Sequence, residues 1–245
     1  MISTRKLVIF GASGHGKVVA DIGQSVGFSS ILFVDDSRSK AGSAFYGHSV
    51  MSWEQFLDRH LACSEMVVAL GIGDNRNRER CFNRVIAAGF ELVTLIHSSA
   101  VVAPSARLGL GTVVMATAVV NADARVGDGA ILNTGSVVEH DNRIGRFVHL
   151  SPKVALGGDV HVGDRTHLGL GAVVLPGRRV GTDARVGAGA AVIRPVPDGL
   201  TVAGVPARPL RSARNLLVFQ ARGNASARYS TEDRLAAMHE TSHPG

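Results

Sequence analysis

The stretch VGDGAILNTGSVVEHDNRIGRFVHL, residues 126–150, returns to an aliphatic side chain at every sixth residue. The same period extends along the chain in both directions. Every sixth residue from Val102 to Val192 is aliphatic, namely Val102, Leu108, Val114, Val120, Val126, Leu132, Val138, Ile144, Leu150, Leu156, Val162, Leu168, Val174, Val180, Val186 and Val192. A fixed period of this kind indicates a repeat protein, in which each unit packs against its neighbours to bury its apolar side.

A second position in the hexad, four residues after the first, is small or β-branched in most repeats, as at Ala118, Ala130 and Val148. It lies two residues before the next aliphatic position, so both side chains face the same way along one short strand. The residues between strands are rich in Gly and Asp, which tolerate the dihedrals of tight corners. Three strands and three corners make one triangular coil, so the pattern predicts a parallel β-helix over residues 98–210.

Residues 1–97 show a different pattern, in which apolar strands alternate with helical segments. Strands are predicted at residues 5–10, 31–34, 66–70 and 91–96, and helices at 17–26 and 76–88. This alternation predicts a small parallel α/β (Rossmann-like) domain. Such sheets bind ligands beyond the carboxyl ends of their strands. The sequence places GASGHG (11–16), Asp35-Asp36 and GIGDN (71–75) at that edge.

The loop GASGHG can present backbone N–H groups to a phosphate at the start of a helix. Its glycines follow G-x-x-G-x-G rather than the dinucleotide pattern G-x-G-x-x-G, so a tight turn without a ligand and a redox NAD site stay open as alternatives. Asp35 could hydrogen-bond a ribose or a base, or could be a solvated turn residue.

The composition excludes several classes of protein. The formal net charge of +6, part of it from the arginines after residue 207, favours anionic ligands such as nucleotides or CoA. Basic residues are not interleaved with aromatics in a stripe, so nucleic-acid binding is not expected. Cys63 and Cys81 have no metal-ligand spacing, and neither a signal peptide nor an apolar run of about 20 residues is evident. A cytoplasmic protein without a membrane span is expected.

The order of these motifs resembles bacterial sugar O- and N-acetyltransferases, the family that includes sialic-acid O-acetyltransferases and UDP-4-amino-sugar N-acetyltransferases. The resemblance covers residues 5 to about 210 and is carried by GASGHG (11–16), NTGSVVEHD (133–141), GRFVH (145–149) and AGVPAR (203–208). It implies a left-handed coil, acetyl-CoA as co-substrate, no metal, and a homotrimer. Domains are then expected at 1–97 and 98–210, followed by a tail, 211–245, of unassigned role.

The resemblance also implies roles for individual residues. His140 matches the catalytic base of the family, and Asp141 matches an acid that raises its basicity. The positions that match contacts to acetyl-CoA are His149, Gly158 (whose amide would meet the acetyl carbonyl), Leu170 and Ala188, where relatives often have Gly. The positions that match contacts to a nucleotide-linked amino sugar are Ser13, Gly14, His15, Asp35 and Asp36.

The residues themselves agree with a base at position 140. His140 and Asp141 fall on the two corner positions of their hexad, where both side chains project outward and can pair. The carboxylate would raise the pKa of the imidazole, and a base near neutrality suits removal of a proton from an attacking amine. The function implied is N-acetylation of the 4-amino group of a nucleotide-linked sugar, by direct transfer without an acyl-enzyme.

Three other functions stay open from sequence. The same base could serve O-acetylation of a sialic acid or another sugar hydroxyl. His149 and His167 are predicted to stack one coil apart and could hold a metal between subunits, as in carbonic anhydrases of this fold, whereas His161 lies on a different edge. A β-helix can also be a spacer without catalysis. For the homotrimer, the outward residues Arg143, Arg146 and Phe147 are expected to offer contacts.

Overall fold

A computed structural model of the protein describes residues 5–37, 39–60 and 65–210. Cys63 and the tail 211–245 lie outside these residues. The first elements are β1 Lys6–Phe10, α1 Gly14–Ser25, β2 Ile31–Val34, β3 Ala44–Phe45, β4 His48–Met51, α2 Trp53–His60, β5 Met66–Leu70 and α3 Asn75–Ala87. The strand order is β3-β4-β2-β1-β5, with β3 antiparallel to β4 and the other pairs parallel. This is the predicted parallel α/β arrangement.

The structure differs from the prediction in three places. The strand predicted at 91–96 is shorter: Leu92 makes a single bridge to Val68, and only β6, Leu95–Ile96, is a strand. It pairs with Val113–Val114 and so belongs to the β-helix, because the chain leaves the first sheet after Val93. Helix α1 begins at Gly14 instead of residue 17, and α2 with the hairpin β3–β4 was not predicted.

The strands of the β-helix have two residues each, apart from β23, which has three. They are β7 Val101–Val102, β8 Arg107–Leu108, β9 Val113–Val114, β10 Val119–Val120, β11 Arg125–Val126, β12 Ile131–Leu132, β13 Val137–Val138, β14 Arg143–Ile144, β15 His149–Leu150, β16 Ala155–Leu156, β17 His161–Val162, β18 His167–Leu168, β19 Val173–Val174, β20 Arg179–Val180, β21 Arg185–Val186, β22 Ala191–Val192, β23 Thr201–Ala203 and β24 Arg208–Pro209. From Val114 to Val192 the aliphatic position of every hexad is buried, as the period predicts.

The strands form three flat faces, which differ in the domain or the outward side chains that they carry. The domain face contains β6, β9, β12, β15, β18, β21, β23 and β24. The aliphatic face contains β7, β10, β13, β16, β19 and β22, with outward residues Val101, Val119, Val137, Ala155, Val173 and Ala191. The arginine face contains β8, β11, β14, β17 and β20, with outward residues Arg107, Arg125, Arg143, His161 and Arg179.

The α/β domain packs on the domain face. Leu7 and Ile9 of β1 share one apolar cluster with Val113 and Ile131 of that face. The buried Arg78 of α3 joins the two parts by polar contacts, since it donates to the carbonyls of Gly129 at 2.6 Å and Phe147 at 2.8 Å. The corner between the aliphatic and arginine faces lies on the far side of the prism from this domain. Residues at that corner are therefore separated from the α/β domain of the same chain.

Candidate active site

His140 and Asp141 are paired at the corner between the aliphatic and arginine faces. Asp141 has φ of 62°, in the left-handed region that asparagine and aspartate tolerate better than most residues. In this conformation its Oδ2 accepts a hydrogen bond from His140 Nδ1 at 2.8 Å. The hydrogen bond raises the pKa of His140, whose side chain remains 61% exposed. Nδ1 is therefore the protonated nitrogen, and Nε2 is free to act as a base.

Gly158 lies against the His140 ring, one coil further along. A Cβ at Gly158 would stand 2.5 Å from both Cε1 and Nε2 of His140, so only glycine leaves the imidazole where it is. The Gly158 carbonyl accepts a hydrogen bond from the Gly177 N–H. The N–H of Gly158 itself has no acceptor within the described part of the chain. A free N–H beside the base is available for a developing negative charge.

Buried amides brace this corner. Asn142 is fully buried; its Nδ2 donates to the Glu139 carbonyl at 2.8 Å, and its Oδ1 accepts from the Val160 N–H at 2.6 Å. Asn121 donates to the Glu139 carboxylate at 2.9 Å from the preceding coil. These bonds fix the backbone on either side of His140, so the base is held by the rigid part of the fold.

A second group of histidines lies on the domain face. His149 and His167 stack with ring centroids 4.7 Å apart and an interplanar angle of 4°, as their spacing predicted. The His15 ring, from the glycine-rich loop, lies 6.3 Å from that of His149. Burial, with the neighbouring charges, lowers the pKa of His149 to about 3 and that of His15 to about 4. Both rings are therefore neutral at physiological pH.

Hydrogen bonds define the state of His149. Its Nδ1 faces the Gly73 carbonyl at 3.2 Å, and its Nε2 faces Asn133 Nδ2 at 3.2 Å. The carbonyl can only accept and the amide NH₂ can only donate, so Nδ1 carries the proton. Arg78 Nη1 donates to the same Gly73 carbonyl at 2.9 Å. Asn133 and Arg78 were not assigned from the sequence, although both lie inside quoted motifs or next to them.

A pocket of about 520 Å³ opens at the carboxyl edge of the first sheet. Of the predicted sugar-nucleotide residues, Ser13, Asp35 and Asp36 line it, whereas Gly14 and His15 do not. Asp35 is engaged internally, because its Oδ2 accepts from the Ala12 N–H at 2.8 Å and from Lys40 Nζ at 3.1 Å. It therefore holds the loop in shape. Four other lining residues, which the sequence did not indicate, lie on α3: Asn77, Arg80, Cys81 and Arg84.

The predicted site residues fall in three places within one chain. His140 and Gly158 share the corner opposite the domain face, while His149, His15 and the pocket lie on or above that face. The other predicted acetyl-CoA contacts, Leu170 and Ala188, lie at the corner between the domain and aliphatic faces, where Leu170 is 59% exposed. A single chain does not bring the base and the pocket together.

One predicted subunit contact is wrong. Phe147 is 1% exposed, because its ring packs edge-on against Phe82 of the chain's own α/β domain at 5.2 Å. Arg146 lies over both rings and pairs with Asp128 at 3.3 Å. The alternation of the repeat placed position 147 at a corner, but it gave no information on which corner the α/β domain covers.

Among residues 5–37, 39–60 and 65–210, no three His, Cys, Asp or Glu side chains are grouped as a metal site requires. Within the same residues, no helix combines the length and the apolar character needed to cross a membrane.

Comparison with known proteins identifies relatives of the whole described chain. Residues 6–85 match the family model of the PglD N-terminal domain. The structure of PerB from Caulobacter crescentus, in complex with CoA and GDP-perosamine, is 42% identical, with a TM-score of 0.79, and covers 86% of this chain and 100% of that chain. The chain belongs to the family of amino-sugar N-acetyltransferases. It shares the family's fold, a parallel α/β domain followed by a left-handed parallel β-helix.

Other members of the family show the same similarity. The acetyltransferase domain of PglB from Neisseria gonorrhoeae is 40% identical, with a TM-score of 0.79, and covers 84% of this chain and 100% of that chain. WeeI from Acinetobacter baumannii is 28% identical, with a TM-score of 0.78 and the same two coverages of 84% and 100%. The perosamine N-acetyltransferase of Caulobacter has also been solved with a histidine replaced by Asn or by Ala, in complex with CoA and GDP-perosamine.

Proposed function

We propose that the protein transfers the acetyl group of acetyl-CoA to the 4-amino group of a nucleotide-linked amino sugar, with His140 as general base. The observation that carries this is the corner at His140, where an imidazole fixed by Asp141 lies against Gly158, whose N–H has no acceptor among the described residues. The similarity to PerB over that enzyme's full length supports the choice of acceptor. The free thiol of Cys81 and the use of acetyl-CoA support a cytoplasmic location.

The chemistry follows from this geometry. The neutral amine attacks the thioester carbonyl carbon, and His140 Nε2 removes a proton as the C–N bond forms. The Gly158 N–H stabilises the oxyanion of the tetrahedral intermediate. When that intermediate collapses, the C–S bond breaks and the proton passes from His140 to the departing thiolate. Asp141 keeps the imidazole in the Nδ1–H tautomer and stabilises its charged form.

The pocket at the sheet edge is proposed to hold the nucleotide. The N–H groups at the start of α1 point to a phosphate site, since Ser13 makes no side-chain cap there. Asp36 and Ser13 would contact the nucleoside, and Asp35 would hold the loop in shape. His15 and His149, both neutral, would then lie between the nucleotide and the reacting sugar. There His149 Nε2 would give up its hydrogen bond from Asn133 and contact acetyl-CoA instead.

We infer a homotrimer in which each site is shared by two subunits. His140 lies opposite the face that carries its own α/β domain, so a sugar held by that domain would need the base of a neighbouring subunit. The aliphatic face next to His140 presents a stripe of valine and alanine that is half-buried in the chain and exposed at Val101 (62%) and Val173 (39%), which favours burial against another chain. Leu170 and Ala188, on the far edge of the same face, would contact the acetyl-CoA bound by the neighbour.

The proposed reaction is tested by thiol release from acetyl-CoA with the purified protein. Nucleotide-linked 4-amino sugars carrying UDP, GDP or dTDP are compared with counterparts that have a hydroxyl in place of the amine, and with free sialic acid. We expect release with at least one amine and none above background with its hydroxyl counterpart. Release only with hydroxyl acceptors would contradict N-acetylation and favour the O-acetyltransferase alternative.

A shared site predicts rescue between two defective variants. A Cβ at Gly14 meets nothing within 4 Å, so Gly14→Val can fold while blocking close approach of the nucleotide. We expect it to raise KM for the sugar nucleotide at least about tenfold and to leave acetyl-CoA binding unchanged. When Gly14→Val and His140→Ala chains are co-expressed, mixed trimers should recover about a quarter of wild-type activity at subsaturating sugar, by random mixing around a cyclic trimer.

The control is a mixture of the two variants purified and assembled separately, which should show no rescue. A double variant carrying both changes in one chain, co-expressed with itself, should also stay inactive. If co-expressed single variants recover nothing although mass spectrometry of the intact assembly shows mixed trimers, each site lies within one chain. A monomer with full activity would contradict the trimer altogether.

The charge of Asp141 predicts a shift in pH dependence. The base works when neutral, so kcat/KM falls as pH drops below the pKa of His140, which the Asp141 hydrogen bond raises. Asp141→Asn removes this effect, lowers that pKa, and should move the acidic limb to lower pH. At pH 7 we expect kcat to fall about tenfold, less than the full contribution of a general base, because the imidazole stays but is less well oriented. If the acidic limb of the kcat/KM profile does not move in Asp141→Asn, a group other than His140 controls it.

A further inference from the structure

A buried amide closes the turn that carries the base. Asn142 is the last residue of that turn, and its side chain is fully buried inside the prism, whereas the His140 side chain is exposed. The Asn142 Nδ2 donates a hydrogen bond to the Glu139 carbonyl at 2.8 Å, so the side chain joins the two ends of the turn. Most other repeats have alanine or valine at this position, and neither side chain can make such a bond.

The same amide also reaches the next coil. Asn142 Oδ1 accepts from the Val160 N–H at 2.6 Å, and Val160 ends the turn in which Gly158 lies against the His140 ring. In that turn the Asp159 N–H donates to the His140 carbonyl at 3.0 Å. The two residues that follow Gly158 are therefore both hydrogen-bonded to the turn that carries the base.

The bond from Val160 takes the place of one that other turns make within themselves. At several corners the inward residue donates to the carbonyl three residues before it, as the Ser136 N–H does to Asn133 at 3.0 Å. The Val160 N–H donates to the Asn142 side chain instead. The turn that contains Gly158 is therefore positioned from the preceding coil, through a side chain that only this coil provides.

The reaction needs both turns in one fixed relation. His140 has to meet the proton of the amine while the Gly158 N–H meets the oxygen of the acetyl carbonyl. Such an N–H is effective when it lies about 2.7–3.1 Å from the oxyanion. A displacement of reacting groups by about 1 Å can lower the rate about a hundredfold. A side chain that sets the spacing between the two turns therefore affects the rate.

We propose that Asn142 is a positioning residue for the acetyl transfer, which sets the place of the Gly158 N–H relative to His140. It acts through the backbone of the two turns, because its side chain is fully buried and touches no substrate. The inference rests on the proposed function and adds to it a residue outside the surface that binds the substrates.

A second link of this kind lies at a corner that carries none of the proposed site residues. Thr166 is fully buried at the same position of the repeat, and its Oγ1 accepts from the Ala184 N–H at 3.1 Å, one coil further along. The same hydroxyl donates to the Gly181 carbonyl. Thr166→Val is therefore the matched control, because it removes a link between two coils at a distance from the base.

The test is steady-state kinetics and urea unfolding of the full chain, with the amino sugar that releases the most thiol with wild type. Valine fits at position 142, because Val148 and Val154 are fully buried at the same position of the next repeats. We expect Asn142→Val to lower kcat about 10- to 100-fold, the range for a displaced donor. KM for both substrates should stay within about twofold of wild type.

Two further results separate positioning from loss of structure. Asn142→Thr should restore kcat to within about threefold of wild type, because its hydroxyl can accept from the Val160 N–H as Thr166 does from Ala184. Thr166→Val should lose stability much as Asn142→Val does, yet keep kcat within about twofold of wild type.

Wild-type kcat in Asn142→Val would overturn the proposal, and so would equal losses of kcat in Asn142→Val and Thr166→Val. Should Asn142→Val fail to fold, Asn142→Ala replaces it with the same expectation, since Ala124 is fully buried at this corner one coil earlier. A folded Asn142→Thr enzyme as slow as Asn142→Ala would also contradict the proposal. A wild type that acetylates no amino sugar would overturn the proposed function itself.

Discussion

Replacing His140 with alanine is expected to lower kcat at pH 7 by about 10²–10⁴, the usual contribution of a positioned general base. KM for both substrates should change little, because the imidazole acts on the proton as it moves and contributes little to ground-state binding. Stability should also be close to that of wild type, since the His140 side chain is 61% exposed. Steady-state kinetics on the purified protein measures kcat and KM, and urea unfolding measures the stability.

The matched control is His161→Ala, a histidine in the neighbouring coil on the arginine face, whose Nδ1 is 3.9 Å from Asp159. It should leave kcat within about twofold of wild type, as expected for a surface change that touches no reacting group. A purified, folded His140→Ala enzyme with wild-type kcat at pH 7 would show that the base is wrongly assigned. His149 would not replace it easily, because its pKa of about 3 makes it a poor proton acceptor.

Replacing Arg78 with methionine is expected to destabilise the chain by at least about 3 kcal/mol, taking about 1–3 kcal/mol for each buried carbonyl left without a donor. Its guanidinium is fully buried, and burial lowers its pKa to about 9. It donates to carbonyls in both parts of the fold, including Ile72 and Gly73 in one and Gly129 and Phe147 in the other. Urea unfolding at fixed protein concentration measures the loss.

Arg76→Met is the control, because Arg76 lies on the same helix and also reaches the β-helix. Its partner is Asp183 at 2.9 Å, and its side chain is 70% exposed. An exposed ion pair contributes about 1 kcal/mol or less, so this variant should unfold close to wild type. Equal losses in the two variants would contradict the view that Arg78 ties the α/β domain to the β-helix.

Periodicity explains what could be predicted from the sequence. A repeat of six fixes which residues face inward and which stack in register, so the coil, the pairing of His149 with His167 and the corner placement of His140 and Asp141 all followed. The glycine-rich loop could be placed at the sheet edge for a similar reason, because strand order puts the carboxyl ends together.

What could not be predicted depends on contacts between distant segments. Nothing local shows which face the α/β domain covers, so the burial of Phe147 and the separation of His140 from the pocket were not visible. Arg78 was missed because its partners are backbone carbonyls 51 and 69 residues away, which leave no mark on side-chain type. The sequence predicts Asp35 as a ligand contact, and it did not show that the same carboxylate accepts hydrogen bonds from the Ala12 N–H and Lys40 Nζ.

The most direct test of the central claim is the position of the acetyl group in the product. The purified protein is incubated with acetyl-CoA labelled with ¹³C at the acetyl carbonyl and with a nucleotide-linked 4-amino sugar labelled with ¹⁵N at the amine, and the product is examined by NMR. The proposed function predicts a one-bond ¹³C–¹⁵N coupling that appears at the rate of thiol release and is lost with His140→Ala. An acetyl carbonyl bonded to a sugar oxygen, or thiol release without any labelled amide, would contradict it.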